Sequence, residues 1–320
     1  MSKNTIEAKA FHNEAAAYAW VEGVLWPEGP ICPRCKGTER IGRLQGKSTR
    51  VGVYKCYACR KPFTVKVGTV FEDSHVPMRF WLQAMYMLCS SKKGFSSQQL
   101  RRMLGVDMKT AWFIGHRIRE AMRVVGMEPM GGAGQIVEID ETSSGKQEGV
   151  PKRFYSKGYS HRNVVLTLVQ RGGSARSFHI EGNTIAQILP IIRVNIQRET
   201  AVMTDEGPWY NSVGDEFASH DTVKHSAKEY VRYGQPYVIH TNTLEGYYSV
   251  FKRGMLGVYQ HCSEKHLHRY LAEFDFRYSN RVRLGVDDVE RTKRALKGIV
   301  GKRLTYRTPR NRATTWEKQA

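Results

Sequence analysis
The chain has 320 residues, with 50 Lys and Arg against 30 Asp and Glu, a formal charge of +20 and a pI near 9.8. Its 41% hydrophobic content supports a buried core and excludes wholesale disorder. So large a cationic excess points to a polyanionic partner, because each neutralised phosphate releases condensed counterions. Nucleic acid fits better than a membrane surface, since the sequence offers neither a basic amphipathic anchor nor a lipidation site. No segment approaches the roughly 18 apolar residues that span a bilayer, and the N-terminus lacks an apolar signal-peptide core. The expected compartment is the cytoplasm, where thiols stay reduced and six cysteines need another explanation.

In chain order, residues 1–30 read as an N-terminal helical segment ending at Trp26–Pro27–Glu28–Gly29–Pro30. Residues 31–68 hold paired cysteines among short strand-like runs, Val51–Tyr54 and Phe63–Val67. From 78 to 127 the apolar spacing is helical, interrupted at Lys93–Gly94 and Gly105. The glycine-rich MEPMGGAG, Met127 to Gly134, is the best linker. Beyond it come strand-like runs at Ile136–Glu141, Asn163–Val169 and Ala175–Ile180, then a helical stretch from Thr184 to Gln197. A strand at Ala201–Thr204 leads into a helical segment near Asn211–Phe217, and Thr241–Arg281 reads as two helices broken near Gly254–Gly257. Residues 282–320 are expected to form a basic C-terminal tail.

Cys32–Pro–Arg–Cys35 and Cys56–Tyr–Ala–Cys59 are two Cys-x-x-Cys knuckles. Each pair can grip one side of a tetrahedral ion, and together they predict one structural zinc in a small ribbon. Cys89 and Cys262 stand alone and read as buried small hydrophobes. After the ribbon, Ser96 with Gln99 offers a capping box, Gly105–Val106 a tight turn, and Asp107 the cap of a second helix. Helix, turn and helix in a basic chain outline a helix-turn-helix, whose second helix enters the major groove. Lys109, Thr110, His116, Arg117 and Arg119 are its candidate DNA contacts.

Asp140 and Asp205 each close an apolar run, Ile136–Val–Glu–Ile–Asp140 and Ala201–Val–Met–Thr–Asp205. An acid at the end of a buried strand presents its carboxylate at the sheet rim, where two can converge on magnesium. Two such ions (Mg2+, or Mn2+ in its place) about 4 Å apart suit phosphodiester transfer. Glu245 is the choice for third ligand, because Lys252, seven residues on, shares its helical face and can meet the DNA backbone. Glu141 and Glu206 follow the aspartates and should point away from the metals, since strand neighbours face opposite sides.

The segments VEIDET, VMTDEGPWY and HTNTLEGYYSVFKRGMLGVYQHCSEKHLHRYLAEFDFRYSNR resemble the catalytic segments of bacterial insertion-sequence transposases of the DDE type, in the branch with an N-terminal zinc ribbon. The likeness runs from about Phe11 to Arg281 and implies a ribonuclease-H-like α/β core, with a mixed sheet, over residues 135–281. It further implies hydrolysis at the terminal inverted repeats of an element and strand transfer into target DNA by a nucleoid-associated protein that is at least a dimer. By that resemblance Asp140, Asp205 and Glu245 match the metal-binding acids and Lys252 the basic residue that follows them. Asn242 occupies the position of an alternative third ligand in this branch. Lys152, Arg153, Lys157 and Arg253 are further candidate DNA contacts, His240 a candidate phosphate contact, and Trp209 and Tyr210 are expected to pack under the site. Two rivals remain: a domesticated, non-catalytic DNA-binding regulator, and a ribonuclease-H-like nuclease or resolvase.

Overall fold
A computed structural model describes residues 7–150 and 162–305. Helix α1 (Glu14–Leu25) starts at Asn13, whose side chain accepts the Ala16 amide at 2.9 Å. Strands β1 (Ile41–Arg43), β2 (Tyr54–Cys56) and β3 (Pro62–Phe63) form an antiparallel ribbon. Helix α2 (Met78–Ser90) buries Trp81, Leu82, Met85 and Leu88. Helix α3 (Ser97–Leu104) begins with the anticipated capping box of Ser96 and Gln99 and ends at Gly105, left-handed at φ 66°. Such a φ favours glycine, which has no Cβ to clash. Asp107 then caps α4 (Met108–Met122) by accepting the Thr110 amide at 2.9 Å.

The second half is built on a five-stranded sheet. Strands β4 (Ile136–Ser144), β5 (Asn163–Gln170) and β6 (Ala175–Ile180) form an antiparallel meander. Helix α5 (Ile185–Asn195) carries the chain to β7 (Ala201–Asp205), which lies parallel to β4, and β8 (Ser219–Val223) lies parallel to β7. The strand order is β6-β5-β4-β7-β8. A small hairpin of β9 (Arg232–Tyr233) and β10 (Val238–Ile239) precedes α6 (Asn242–Gly254), a π-helical turn (Met255–Tyr259) and α7 (Glu264–Ser279). One face of β4 (Val137, Ile139) packs with α5 residues Ile188 and Ile192, while α6 and α7 cover the other face of the sheet. The linker is docked, not loose: Met130 is buried and bridged to Ile196, and at Gly131 (φ 91°) any Cβ would sit 2.1 Å from the Thr200 hydroxyl.

Three expectations are corrected. Residues 211–217 form only a short 3-10 turn at Gly214–Glu216, and the polar run Ser219–Val223 is a strand. Residues 282–305 are not a tail, for α8 (Asp288–Lys297) returns to the N-terminal helices. There Ala295, Leu296 and Ile299 join Trp81, Leu82 and Ile118 in one core, while Arg294 and Lys297 stay on the outer face. The basic residues that suggested a tail therefore hid an amphipathic helix. Lastly, His116, Arg117 and Arg119 are buried and cannot reach DNA as placed. Arg119 pairs with Glu273 at 2.7 Å and lies over the rings of Tyr259 and Tyr270, whereas Arg117 donates to the carbonyls of Glu72 and Leu304. Only the first turn of α4, with Lys109 and Thr110, remains accessible among those candidates.

His116 packs on Trp112, with ring centroids 4.0 Å apart, and faces His266 and Tyr270 on α7. Burial first, then the charge of Arg119 and the ring of His266, depress its pKa to about 2. The unfolded chain takes up a proton near pH 6.5 that the native site refuses. Stability is therefore intact above pH 6.5 and falls as pH drops from there towards 2. Urea unfolding between pH 7.5 and 5 should show a steep loss of midpoint in the wild type and a flatter one in His116→Leu.

Candidate active site and zinc centre
In the ribbon, Cys32 and Cys59 stand 3.6 Å apart, as do Cys35 and Cys56, and all four sulfurs lie within 4.8 Å of one another. Ligands at about 2.3 Å in a tetrahedron would be separated by roughly 3.8 Å, so the four sulfurs fit one structural zinc. Phe63, Tyr54 and Trp26 pack around them, giving the small module an aromatic wall beside the ion. Cys89 is fully buried and Cys262 half-buried, as small hydrophobes would be.

The acids follow from strand register. Parallel pairing runs Ile136 to Ala201, Val137 to Val202 and Glu138 to Met203. Asp140 and Asp205 each follow two residues beyond the last of these pairs; Asp205 closes β7 as expected, whereas Asp140 is in mid-strand because β4 runs on to Ser144. Side-chain alternation sends Asp140 to the face that carries Glu138, towards α6. Each aspartate commits one oxygen to backbone, Asp140 to the Glu141 amide at 2.7 Å and Asp205 to the Gly207 amide at 3.0 Å. Burial, then Asp205 and Glu141, raise the Asp140 carboxyl to about 8, against the pull of the Glu141 amide and Lys252. Two oxygen donors crowded against like charge form a set that a divalent cation would relieve.

Glu141 and Glu206 turn away, in line with the alternation. Glu141 accepts a hydrogen bond from Tyr210, which is buried beneath the rim together with the half-buried Trp209. Burial lifts Glu141 to about 7. Glu206 instead accepts from the Ser226 amide at 2.9 Å and the Ser226 hydroxyl at 2.7 Å.

Helix α6 lies across the rim. Tyr248 donates to the Asp140 carbonyl at 2.6 Å, and the Lys252 ammonium sits 5.6 Å from the Tyr248 ring. Glu245, one turn before Tyr248, lies 3.7 Å from His225 Nε2. The structure thus brings Asp140, Asp205 and Lys252 into one electrostatic neighbourhood. Glu245 does not join both aspartates within 4.8 Å, and among the described residues only the four cysteines gather that tightly. Asn242 is exposed in the first turn of α6, its amide 3.3 Å from His240 Nδ1. Arg253 bonds back to Ser249, one turn earlier. Lys152, Arg153, Lys157 and His161 lie outside the described residues.

Sequence reasoning missed the group that fixes this arrangement. Glu138, fully buried, receives Arg171 at 2.6 Å and the Leu244 amide of α6 at 2.8 Å, with His240 3.2 Å away. The acid inside the apolar run IVEID was the available signal. His240, assigned to phosphate, is in this structure a partner of Glu138.

Residues 132–279 match the family described as ISXO2-like transposase domain, and residues 12–62 the transposase zinc-ribbon domain. A protein of Halobacterium salinarum described as "Uncharacterized protein in transposable element ISH50" is 28% identical over 285 residues, 84% of this chain and 92% of that one. A chain from the simian T-cell lymphotropic virus intasome in complex with PP2A regulatory subunit B56 gamma is matched at 16% identity. That match covers 55% of this chain and 63% of the other, with a TM-score of 0.28, too distant to bear on the fold. The chain thus carries, in order, a transposase zinc-ribbon domain and an ISXO2-like transposase domain, the two domains of zinc-ribbon insertion-sequence transposases.

Two outcomes follow. Removing one partner of a buried ion pair costs about 3–5 kcal/mol, so Glu138→Ala should lose stability on that scale in urea titrations. Zinc content, read by elemental analysis of the full chain, should fall from one ion per molecule to near none in Cys56→Ser, with the ribbon losing protection from protease.

Proposed function
We propose that the chain is a DDE-type DNA transposase that binds the terminal inverted repeats of its element and catalyses phosphodiester hydrolysis and strand transfer. The observation that carries this reading is a pair of aspartates on adjacent parallel strands, each two residues past the last paired register of β4 and β7 and close enough for Asp205 to raise the Asp140 carboxyl, with α6 bonded to the Asp140 carbonyl. The order β6-β5-β4-β7-β8, three strands antiparallel and then two parallel, supports a ribonuclease-H-like core.

Asp140 and Asp205 would hold magnesium, with Glu245 as third ligand from α6. Bound ions of this kind activate the attacking oxygen and stabilise the leaving one. Asp140 and Asp205 each keep one carboxylate oxygen beyond their backbone bond for that purpose. Lys252, exposed one turn after the Tyr248 that bonds α6 to β4, would meet a backbone phosphate. Glu245 is preferred to Asn242 because it lies one turn from that pinned tyrosine.

The α3–turn–α4 unit supports a helix-turn-helix, reading DNA through the first turn of α4, where such motifs contact base edges. Lys109 and Thr110 stand there, with Arg101 and Arg102 exposed on α3. The net charge of +20 supplies the sequence-independent part of binding. Holding two element ends together calls for at least a dimer on DNA.

Asp140→Asn and Asp205→Asn should each reduce cleavage of an end-containing duplex by at least about 1000-fold, or 4 kcal/mol of barrier, while gel-shift affinity for the end is kept. Cleavage at the wild-type rate by either variant would sink the reading. Cutting without joining to a second duplex would make the protein a nuclease.

A further inference from the structure
The loop after β8 carries a group that neither strand register nor the resemblance supplies. His225 Nε2 lies 3.7 Å from Glu245 Oε1 and 3.4 Å from the hydroxyl of Thr241, the residue that opens α6. Its ring packs on Tyr230, with centroids 5.5 Å apart. The next residue, Ser226, is clamped twice by Glu206, which accepts from its amide at 2.9 Å and its hydroxyl at 2.7 Å. Glu206 directly follows Asp205 in sequence. A chain of contacts therefore runs from the second strand acid, through Glu206 and Ser226, to His225 and onto the carboxylate of Glu245.

We propose that His225 is a positioning residue for Glu245, held in place by the Glu206–Ser226 clamp. This rests on the reading of Glu245 as the third metal ligand. A glutamate in the first turn of a helix, about half exposed, has free χ angles and several directions open to it. His225 Nε2, anchored to Thr241 and 3.7 Å from Oε1, narrows the directions open to that oxygen and leaves Oε2 for a cation. Metal-binding carboxylates are oriented by such outer partners, and losing one costs roughly 10- to 100-fold in metal affinity. The clamp explains why Glu206, pointing away from the metals, is still tied to the site. It also measures the third acid from β7 rather than from α6 alone, so that two acids on different elements share one reference.

The test is Mn2+ titration of the full chain, without DNA, followed by electron paramagnetic resonance. His225→Ala should weaken Mn2+ binding by roughly 10-fold, with an unchanged thermal midpoint and unchanged gel-shift affinity. Cleavage assays should show a higher Mn2+ requirement with kcat at saturating metal retained. His225→Gln, whose amide reaches the same side of Glu245, should recover most of the affinity, and Ser226→Ala should show a milder loss. In a Glu245→Gln background His225→Ala should add nothing. Wild-type Mn2+ affinity in His225→Ala, with weakened binding in Glu245→Gln, would overturn the positioning role and leave Glu245 standing. Losses that add in the double variant would overturn it too, because His225 would then act on the metal by another route. Wild-type affinity in Glu245→Gln itself would remove Glu245 from the site, and the positioning role with it.

Discussion

A single buried carboxylate organises the site. Glu138 leaves β4 on the side of Asp140, two residues earlier, and spends both oxygens on neighbours: Oε1 towards Arg171 and His240, Oε2 on the Leu244 amide. Arg171 in turn donates to the carbonyls of Val238 and His240. Strand β4, the β5–β6 turn, the hairpin and α6 are thus tied at one point. A desolvated charge is costly unless its lone pairs are filled, and here they are. Because the Leu244 amide sits in the first turn of α6, Glu138 also serves that helix as a remote cap, complementing its positive end. Helix α6 is then held to β4 by two bonds that leave the same strand, Glu138 to Leu244 and the Asp140 carbonyl to Tyr248.

Seen from this anchor, the crowding at the rim is affordable. Burial first, then the charge of Asp205, raises the Asp140 carboxyl to about 8, with Lys252 pulling the other way. Such a pair opposes its own assembly, and persists where the backbone around it is over-determined. The register of β4 and β7 and the fastening of α6 provide that. Strain at the rim and saturation at Glu138, one pleat below, are complementary parts of one design.

Much of this was legible in the sequence because it rests on short-range rules. Aspartates that close apolar runs, a Glu–Lys pair at helical spacing, a capping box and paired Cys-x-x-Cys knuckles each carry a local signature. The structure has the box, the four gathered sulfurs, the helix of the Glu–Lys pair and Asp205 at the end of β7, while β4 runs on past Asp140 to Ser144. What escaped depended on partners far away in the chain. Glu138 looks like an ordinary strand acid until Arg171 and Leu244 arrive. Strand β8, with its polar Ser219–Val223, has no alternating pattern and is held by β7. Arg119 and His116 look like outward-facing basic residues of a recognition helix, and partners more than a hundred residues further along the chain, on α7 and at Tyr259, cover them. Helix α8 was masked by its charge: composition over a window cannot separate a basic tail from a helix with one basic face.

That burial of α4 changes how the two halves relate. Arg119 meets Glu273 on α7, whose other oxygen accepts from Tyr259 and Arg277. Tyr259 closes the π-helical turn that continues α6, and its hydroxyl also accepts the Phe95 amide, just before α3, at 3.2 Å. The π-helical turn that continues the helix bearing Glu245 and Lys252 therefore touches α4 through Arg119 and the segment leading into α3 through Phe95. π-helical turns often sit at functional positions because they break the regular ladder without ending the helix. Here the break swings Tyr259 into the α4–α7 seam. If the proposed DNA contact is made through the exposed first turn of α4, its position would be carried towards α6 by these same contacts of Tyr259. Of the two arginines buried on α4, Arg119 therefore ties the unit to α7 through Glu273, while Arg117 ties it to the carbonyls of Glu72 and Leu304 and so to the ends of the helical half.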